Sequence, residues 1–317
     1  MPSGHLVDPE LKTMLETFPQ VDISLDTVLA VRKALAELFS SVPAPEELSV
    51  TVEEITVPGS SAAPPVRMLA YRPRDRMTTL PALVHCHGGG YMFGAPEMAD
   101  VINRFLAVDL DCAIFSVDYR LAPETRHPGP IDDCYAALKW VSGNAANLQI
   151  DRARIGIKGE SAGGGLAAAV ALMVRDRAEF PLAFQHLMYP MIDDRTCLDR
   201  DPHPFVGEFQ WTRAHNTVAW SALLGIAPGT PGVSSYAAAA RTMDLTGLPP
   251  TFISVGALDL FLEEDLEYAR RLTRSGVSVE FHVYPGAFHS FDMVRTARVA
   301  QAAERDSRDA LRRALHG

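Results

Sequence analysis

The stretch from Arg154 to Gly165 constrains this chain most. A strand-like run, Arg154-Ile155-Gly156-Ile157-Lys158, ends at Gly159. Ser161 follows, and Ala162-Gly163-Gly164-Gly165 opens a run of small residues. The spacing Gly159-x-Ser161-x-Gly163 fits a serine on a sharp strand-to-helix turn. Glycines on both sides let strand and helix approach without a Cβ clash. Such a turn exposes the serine Oγ. It also sets the N–H of Ala162 at a helix N-terminus, where the dipole favours a developing oxyanion. An ordinary Gly-rich turn has the same five residues, so the rest of the chain must decide.

Strands and helices alternate around this stretch. Val50 to Val57 and Val66 to Tyr71 read as strands joined by a Pro-rich turn, expected to pair antiparallel at an edge. Further strands are expected over Leu80–Cys86, Ala113–Val117, Arg154–Lys158, Phe184–Tyr189, Thr251–Val255 and Val277–Tyr284. Helices are expected over Met98–Val108, Ile131–Ala145, Ala162–Arg175 and Glu263–Ser275. This rhythm predicts an α/β fold with a mostly parallel eight-stranded sheet flanked by helices on both faces.

Two segments fall outside the alternation. Asp8-Pro9-Glu10 starts a short helix that stops before Pro19, Leu25 to Phe39 has helical spacing, and Pro43-Ala44-Pro45 reads as a linker. Between Ile192 and Val233 no strand signal occurs. Phe205, Phe209, Trp211 and Trp220 lie there, between Pro202-His203-Pro204 and Pro228-Gly229-Thr230-Pro231-Gly232. Aromatics in a helical segment between Pro-rich hinges suit a lid over a site. The expected division is a core over 46–191 and 233–317, with an N-terminal helical piece, 1–45, and a lid segment, 192–232, outside it.

A serine hydroxyl needs a base to act as a nucleophile. The base needs an orienting carboxylate, and the transition state needs N–H donors. His87-Gly88-Gly89-Gly90-Tyr91 follows an apolar strand, and its glycines leave backbone N–H groups clear to face a ligand. Gly88, Gly89, Gly90 and Ala162 are therefore the candidate oxyanion donors, with His87 as support for the loop. His289 follows the last strand and is the candidate base; His282 lies inside that strand, and His127, His203 and His215 lie in loop or lid segments. Asp259 ends the preceding strand and is the candidate orienting acid. Glu263, Glu264 and Asp265 are rivals that fall within the next helix and suit its positive end. The order Ser161…Asp259…His289 is that of an α/β-hydrolase triad.

On these motifs the chain resembles the bacterial hormone-sensitive-lipase-like carboxylesterases, the α/β-hydrolases marked by H-G-G-G. Within them it is most similar to the actinobacterial acetyl/heroin-esterase-like enzymes. The resemblance extends to Asp118-Tyr119-Arg120-Leu121-Ala122-Pro123-Glu124, Asp132-Asp133, Tyr189-Pro190-Met191-Ile192-Asp193-Asp194, Leu248-Pro249-Pro250-Thr251 and Tyr284-Pro285-Gly286. It implies a cap built from the N-terminal helices and an insertion after the sixth strand, and homodimers joined through the last sheet strand. It also implies hydrolysis of small-molecule esters with short acyl groups, acetyl to about hexanoyl, through an acyl-enzyme and without a cofactor. Amide hydrolysis or acyl transfer by the same triad is the alternative. Plant gibberellin receptors resemble the family and bind without hydrolysis, but they have lost the histidine that His289 supplies here. Two positions depart from the family pattern. Glu160 precedes the serine where Asp, Thr or Gln is common, and Leu260-Phe261 follows Asp259 where Pro-Leu is common.

Charge and cysteine usage bound the partners. Net charge is −10 with no basic block, which argues against nucleic acid and anionic membrane surfaces. No apolar run is long enough to span a bilayer, and no basic-then-apolar leader is present, so a cytoplasmic protein is expected. Cys86, Cys112, Cys134 and Cys197 are widely spaced and read as reduced, buried residues. His85-x-His87 lacks a third ligand at usable spacing, so no metal is expected.

Overall fold

The structure, a computed structural model, describes residues 3–17, 23–40, 49–60, 63–74, 76, 78–198 and 201–317. Eight strands form one sheet: β1 (Val50–Val57), β2 (Val66–Pro73), β3 (Leu80–Cys86), β4 (Ala113–Asp118), β5 (Ile150–Glu160), β6 (Gln185–Met188), β7 (Thr251–Gly256) and β8 (Val279–Tyr284). Their order is β1-β2-β4-β3-β5-β6-β7-β8, with β2 antiparallel to both neighbours and every other pairing parallel. β3 and β7 are buried along their whole length because helices cover both faces of a parallel sheet.

The helices are α1 (Lys12–Thr17), α2 (Val28–Ser40), α3 (Asp100–Asp109), α4 (Gly129–Gly143), α5 (Ala162–Arg177), α6 (Arg213–Leu224), α7 (Leu262–Arg274) and α8 (Arg298–His316). Every residue of α5 from Ala162 to Val174 is buried. Its glycines and alanines let it nest against β5 and β6, next to α4. Amphipathic α8 buries Val299, Ala300, Ala303, Ala310, Leu311 and Leu315 while its charged face meets solvent. The sequence alternation stops at β8 and does not include this helix.

Several boundaries differ from the sequence reading. β5 begins earlier, at Ile150, because Leu80 of β3 finds its partner there. β6 ends at Met188, since Tyr189 turns out of the strand with φ +35°. β8 starts at Val279, after the turn at Gly276. The Asp8 carboxylate accepts the Glu10 N–H at 2.8 Å and starts a single 3-10 turn that leads into α1. The interval from Ile192 to Val233 is less helical than expected: its described residues contain α6, one 3-10 turn at Thr196–Leu198 and otherwise irregular chain. Pro19 and the Pro43-Ala44-Pro45 linker lie outside the described residues. No described helix is long and apolar enough to cross a membrane.

This topology positions the site. β3, β5, β6, β7 and β8 are successive parallel neighbours, so the loops after them gather along one sheet edge. In an open parallel sheet, that carboxyl edge is where ligands bind.

Candidate active site

Ser161 occupies the turn between β5 and α5 with φ +55° and ψ −122°, a backbone state that ordinary L-residues avoid. Its surroundings impose this state. The Ser161 N–H donates to Met188 O at 2.9 Å, and its carbonyl accepts the N–H groups of Gly165 and Met191, each at 3.0 Å. Gly163 must be glycine because a Cβ there would lie 2.0 Å from the Cys86 carbonyl oxygen. Strand, turn and helix are therefore locked together, and the hydroxyl projects past the end of β5.

Three sequence-distant residues meet at that hydroxyl. Ser161 Oγ donates to His289 Nε2 at 2.9 Å, and His289 Nδ1 donates to Asp259 Oδ2 at 2.8 Å. The second Asp259 oxygen accepts the Phe261 N–H at 3.0 Å, so the carboxylate holds its own loop as well as the imidazole. All three side chains are buried. Phe261 stands edge-on to the imidazole, with ring centroids 5.1 Å apart, and Tyr189 packs on it at 4.9 Å. The Tyr189 hydroxyl donates to Asp292 at 2.8 Å, and burial pushes the Asp292 carboxyl above its ordinary range.

The rivals are occupied elsewhere or not engaged. Glu264 does not serve the α7 N-terminus, because its carboxylate accepts the N–H groups of Ile192 and Asp193 and the Thr196 hydroxyl. Asp265 is buried, and among the described residues neither of its carboxyl oxygens has a partner. His282 bonds Glu280 on its own strand.

The glycine loop lies directly beside the serine. A Cβ on Gly88 would stand 3.6 Å from the Ser161 Cβ. Gly89 and Gly90 have φ of +119° and +58°, which aims the loop's amides in directions that other residues resist. The Gly89 carbonyl accepts the N–H groups of Met92 and Phe93 at 3.0 and 2.8 Å, closing the loop into a turn. Among the described residues, the N–H groups of Gly88, Gly89, Gly90 and Ala162 have no acceptor. The His87 side chain is engaged within the loop and by Tyr119. Its Nδ1 donates to the Gly88 carbonyl at 2.8 Å, and its ring stacks on Tyr119 at 4.2 Å. The Tyr119 hydroxyl donates in turn to the His87 carbonyl at 2.7 Å. Burial holds the His87 imidazole down at about 3, so it stays neutral.

The Glu160 side chain is held by its own strand and the neighbouring one. It pairs with Lys158 and accepts from His85 Nε2 at 2.8 Å, while His85 Nδ1 meets the Ser116 hydroxyl at 2.8 Å. Both His85 ring nitrogens thus have protein partners, and among the described residues no group of three or more His, Cys, Asp or Glu is placed to hold a metal ion.

Of the aromatics between Ile192 and Val233, Trp211 faces the site. Its indole lies 6.1 Å from the His289 ring centroid, and a Cβ on Gly90 would reach within 2.3 Å of it. Trp220 packs on Tyr91 and Phe209 on Phe288, while Phe205 is partly exposed. A cavity of about 350 Å³ opens beside this segment, lined by Thr196, His203, Val206, Arg213, Leu260 and Tyr268 among others. Ser161, Asp259, His289 and the glycine loop are not among the residues that line it.

Sequence reasoning missed two contacts, one at the glycine loop and one away from it. Arg32 of α2 reaches the glycine loop, and Arg120 grips Asp133 through two bonds of 2.8 and 2.7 Å. The Arg120 pair was signalled by the motif residues Arg120 and Asp133; nothing local to α2 signals Arg32.

Comparison with known proteins bears on the fold and the class of activity. A model of the alpha/beta hydrolase fold family matches residues 83–293. Carboxylesterase NlhH of Mycobacterium tuberculosis strain H37Rv is 37% identical over 320 residues, covering 98% of this chain and 97% of the relative. Carboxylic ester hydrolase LipN of the same organism is 31% identical over 300 residues, covering 91% of this chain and 77% of the relative. The solved structure of a bacterial heroin esterase superposes with a TM-score of 0.93 at 38% identity, covering 99% of each chain.

Proposed function

From the premise that this chain belongs to the α/β-hydrolase fold family, as a carboxylic ester hydrolase of its hormone-sensitive-lipase-like branch, we propose an acyl-enzyme route on short-chain esters. Ser161 Oγ attacks the acyl carbon while its proton passes to His289 Nε2. The carbonyl electron pair moves onto oxygen, where the N–H groups of Gly89, Gly90 and Ala162, with Gly88 beside them, hold the oxyanion. Asp259 keeps the proton on His289 Nδ1 and stabilises the imidazolium. When the tetrahedral centre collapses, the alkoxide leaves and takes the proton from Nε2 as an alcohol. Water then repeats the cycle: Nε2 takes one proton, the oxygen bonds the acyl carbon, and Ser161 departs reprotonated. His87 acts through the loop and touches no reacting atom.

One observation carries this reading. The unbroken chain Asp259–His289–Ser161, with bonds of 2.8 and 2.9 Å, ends beside four backbone N–H groups that have no acceptor among the described residues. The short acyl limit draws support from Trp211, whose indole stands between the glycine loop and the imidazole and narrows the space there. In the same reading, 1–45 and 192–232 form the cap, supported by the position of Trp211 and by Val7, Leu11 and Met14 packing on Phe288 and Phe291 beside the base.

The test is hydrolysis of p-nitrophenyl acetate and butyrate by the wild type and Ser161→Ala, with intact-mass detection of an acyl adduct. Loss of at least about 10³ in rate is expected. Full activity in the variant would sink the assignment. A homodimer paired along the free edge of β8 and a cytoplasmic setting complete the proposal. The edge position of β8 and four unpaired cysteines support them, and sedimentation of the purified chain and fractionation of host cells check them.

A further inference from the structure

We infer that Arg32 is a positioning residue for the oxyanion hole and makes the N-terminal helix α2 part of the catalytic apparatus. The inference rests on the proposed oxyanion role of the glycine loop. Its basis is a single guanidinium that bonds two chain segments at once. Arg32 Nε donates to the Met92 carbonyl at 2.6 Å, and Nη2 donates to the Ala122 carbonyl at 2.6 Å. Nη1 and Nη2 also meet the two Glu124 carboxylate oxygens, each at 2.8 Å. This fork uses the planar donor set that only arginine has.

Each partner leads to the loop. Met92 closes the turn on Gly89, since its N–H donates to the Gly89 carbonyl at 3.0 Å. Ala122 donates to the Tyr91 carbonyl at 2.9 Å, so the segment around Ala122 is already stitched to the loop. Arg32 therefore bonds one carbonyl on each side of that stitch and fixes the far end of the turn that aims the Gly89 and Gly90 amides. Without it, both carbonyls lose a charged donor and the turn is free to rotate its N–H groups off the oxyanion position. Val28 is buried in the main core, which brings the helix down at this point. Glu124 contributes less, being half exposed. It orients the guanidinium but bonds no loop atom.

The experiment compares wild type, Arg32→Ala, Arg32→Lys and Glu124→Gln. Steady-state kinetics use p-nitrophenyl acetate, and inhibition uses an aryl boronic acid, which forms a tetrahedral adduct on the serine and reports the oxyanion hole directly. Removing one oxyanion donor outright costs about 10²–10³, so misplacing donors through the loop is expected to lower kcat about tenfold or more in Arg32→Ala. KM should stay within about twofold, and the boronate Ki should rise by the same factor as kcat/KM falls. Arg32→Lys can cap one carbonyl and should fall between, while Glu124→Gln should change kcat less than about threefold. Added methylguanidinium should restore part of the rate to Arg32→Ala alone. A variant with a lower melting temperature but unchanged kcat and boronate Ki, assayed well below melting, would overturn the inference and leave a merely structural arginine. Failure of the proposed function looks different, because Ser161→Ala would then keep wild-type activity whatever Arg32 does.

Discussion

Replacing Trp211 by alanine should lengthen the acyl chain that the site accepts. The indole is nearly buried, its Nε1–H donates to Asn216 Oδ1 at 3.2 Å, and it fills the gap between Gly90 and the His289 ring. Truncation to a methyl group vacates room for ~3–5 methylenes. Each methylene buried is worth about 0.8 kcal/mol, or about fourfold in kcat/KM. Three of them would amount to about 2.4 kcal/mol, roughly sixtyfold, and imperfect packing of a flexible chain in an irregular space should leave about tenfold. The readout is the ratio of kcat/KM for p-nitrophenyl octanoate to that for butyrate, in which any general damage to the triad cancels. The substitution also removes a buried aromatic, at a cost of about 3–5 kcal/mol, a large share of a typical domain's stability. Trp211→Leu, which leaves a smaller void, therefore serves as a second variant, with an intermediate ratio expected. If both variants melt above the assay temperature and both keep the wild-type ratio, the indole does not set the acyl limit and the geometric argument fails.

Two further outcomes follow from buried titratable groups. Burial lowers the His87 imidazole from 6.5 to about 3, so between those values the unfolded chain takes up a proton that the folded chain refuses. Stability is then lost as pH falls through that window, by about 1.4 kcal/mol per pH unit from this group. His87→Asn keeps a donor for the Gly88 carbonyl and should flatten the slope, as measured by urea unfolding between pH 6.5 and 4; an unchanged slope would count against the assignment. Asp265 is buried with both oxygens unpartnered among the described residues, and burial, Glu264 and Asp259 all push its carboxyl above the ordinary 3.8. The folded state therefore keeps this proton to higher pH than the unfolded state does, so the group weighs against folding increasingly as pH rises above the ordinary carboxylate range. Asp265→Ala should raise stability at pH 7 by about 1–3 kcal/mol and leave kcat unchanged, whereas a lower melting temperature would refute the orphaned state.

Legibility in the sequence followed how local each signal was. Ser161, the glycine loop, Asp259 and His289 were readable because each sits just past an apolar strand, and strand ends are marked by a change of texture. Their meeting at 2.8 and 2.9 Å follows from topology, since β5, β7 and β8 all run parallel and deliver their carboxyl ends to one edge. The role of Trp211 was half legible. Its lid segment stood out by composition, but four aromatics there look alike until packing separates Trp211 from buried Trp220 and exposed Phe205. Arg32 was not legible at all. It lies on a helix with an ordinary mix of charges, and its partners Met92, Ala122 and Glu124 are distant in sequence, two of them backbone carbonyls that carry no residue signature. Helix α8 escaped because its alanine- and arginine-rich sequence follows the last strand, where the alternation that revealed the others has ended.

Glu160 shows how the fold reconciles an extra acid with the elbow. A bare carboxylate next to the nucleophile would favour the charged form of the base and interfere with proton transfer. Side chains alternate along β5, so Glu160 and Lys158 share a face and can pair, and His85 on the adjacent strand lies in register with Lys158. The carboxylate is thus met by an opposite charge within its own strand and by a neutral imidazole across the ladder. A tight ion pair presents a dipole to the site rather than a net charge, and a dipole's field falls off faster with distance. The same bonds tie the residue before Ser161 to β3, whose end carries the glycine loop. The acid therefore ties the end of β5, which leads into Ser161, to the end of β3, which leads into the glycine loop, through His85 and Lys158.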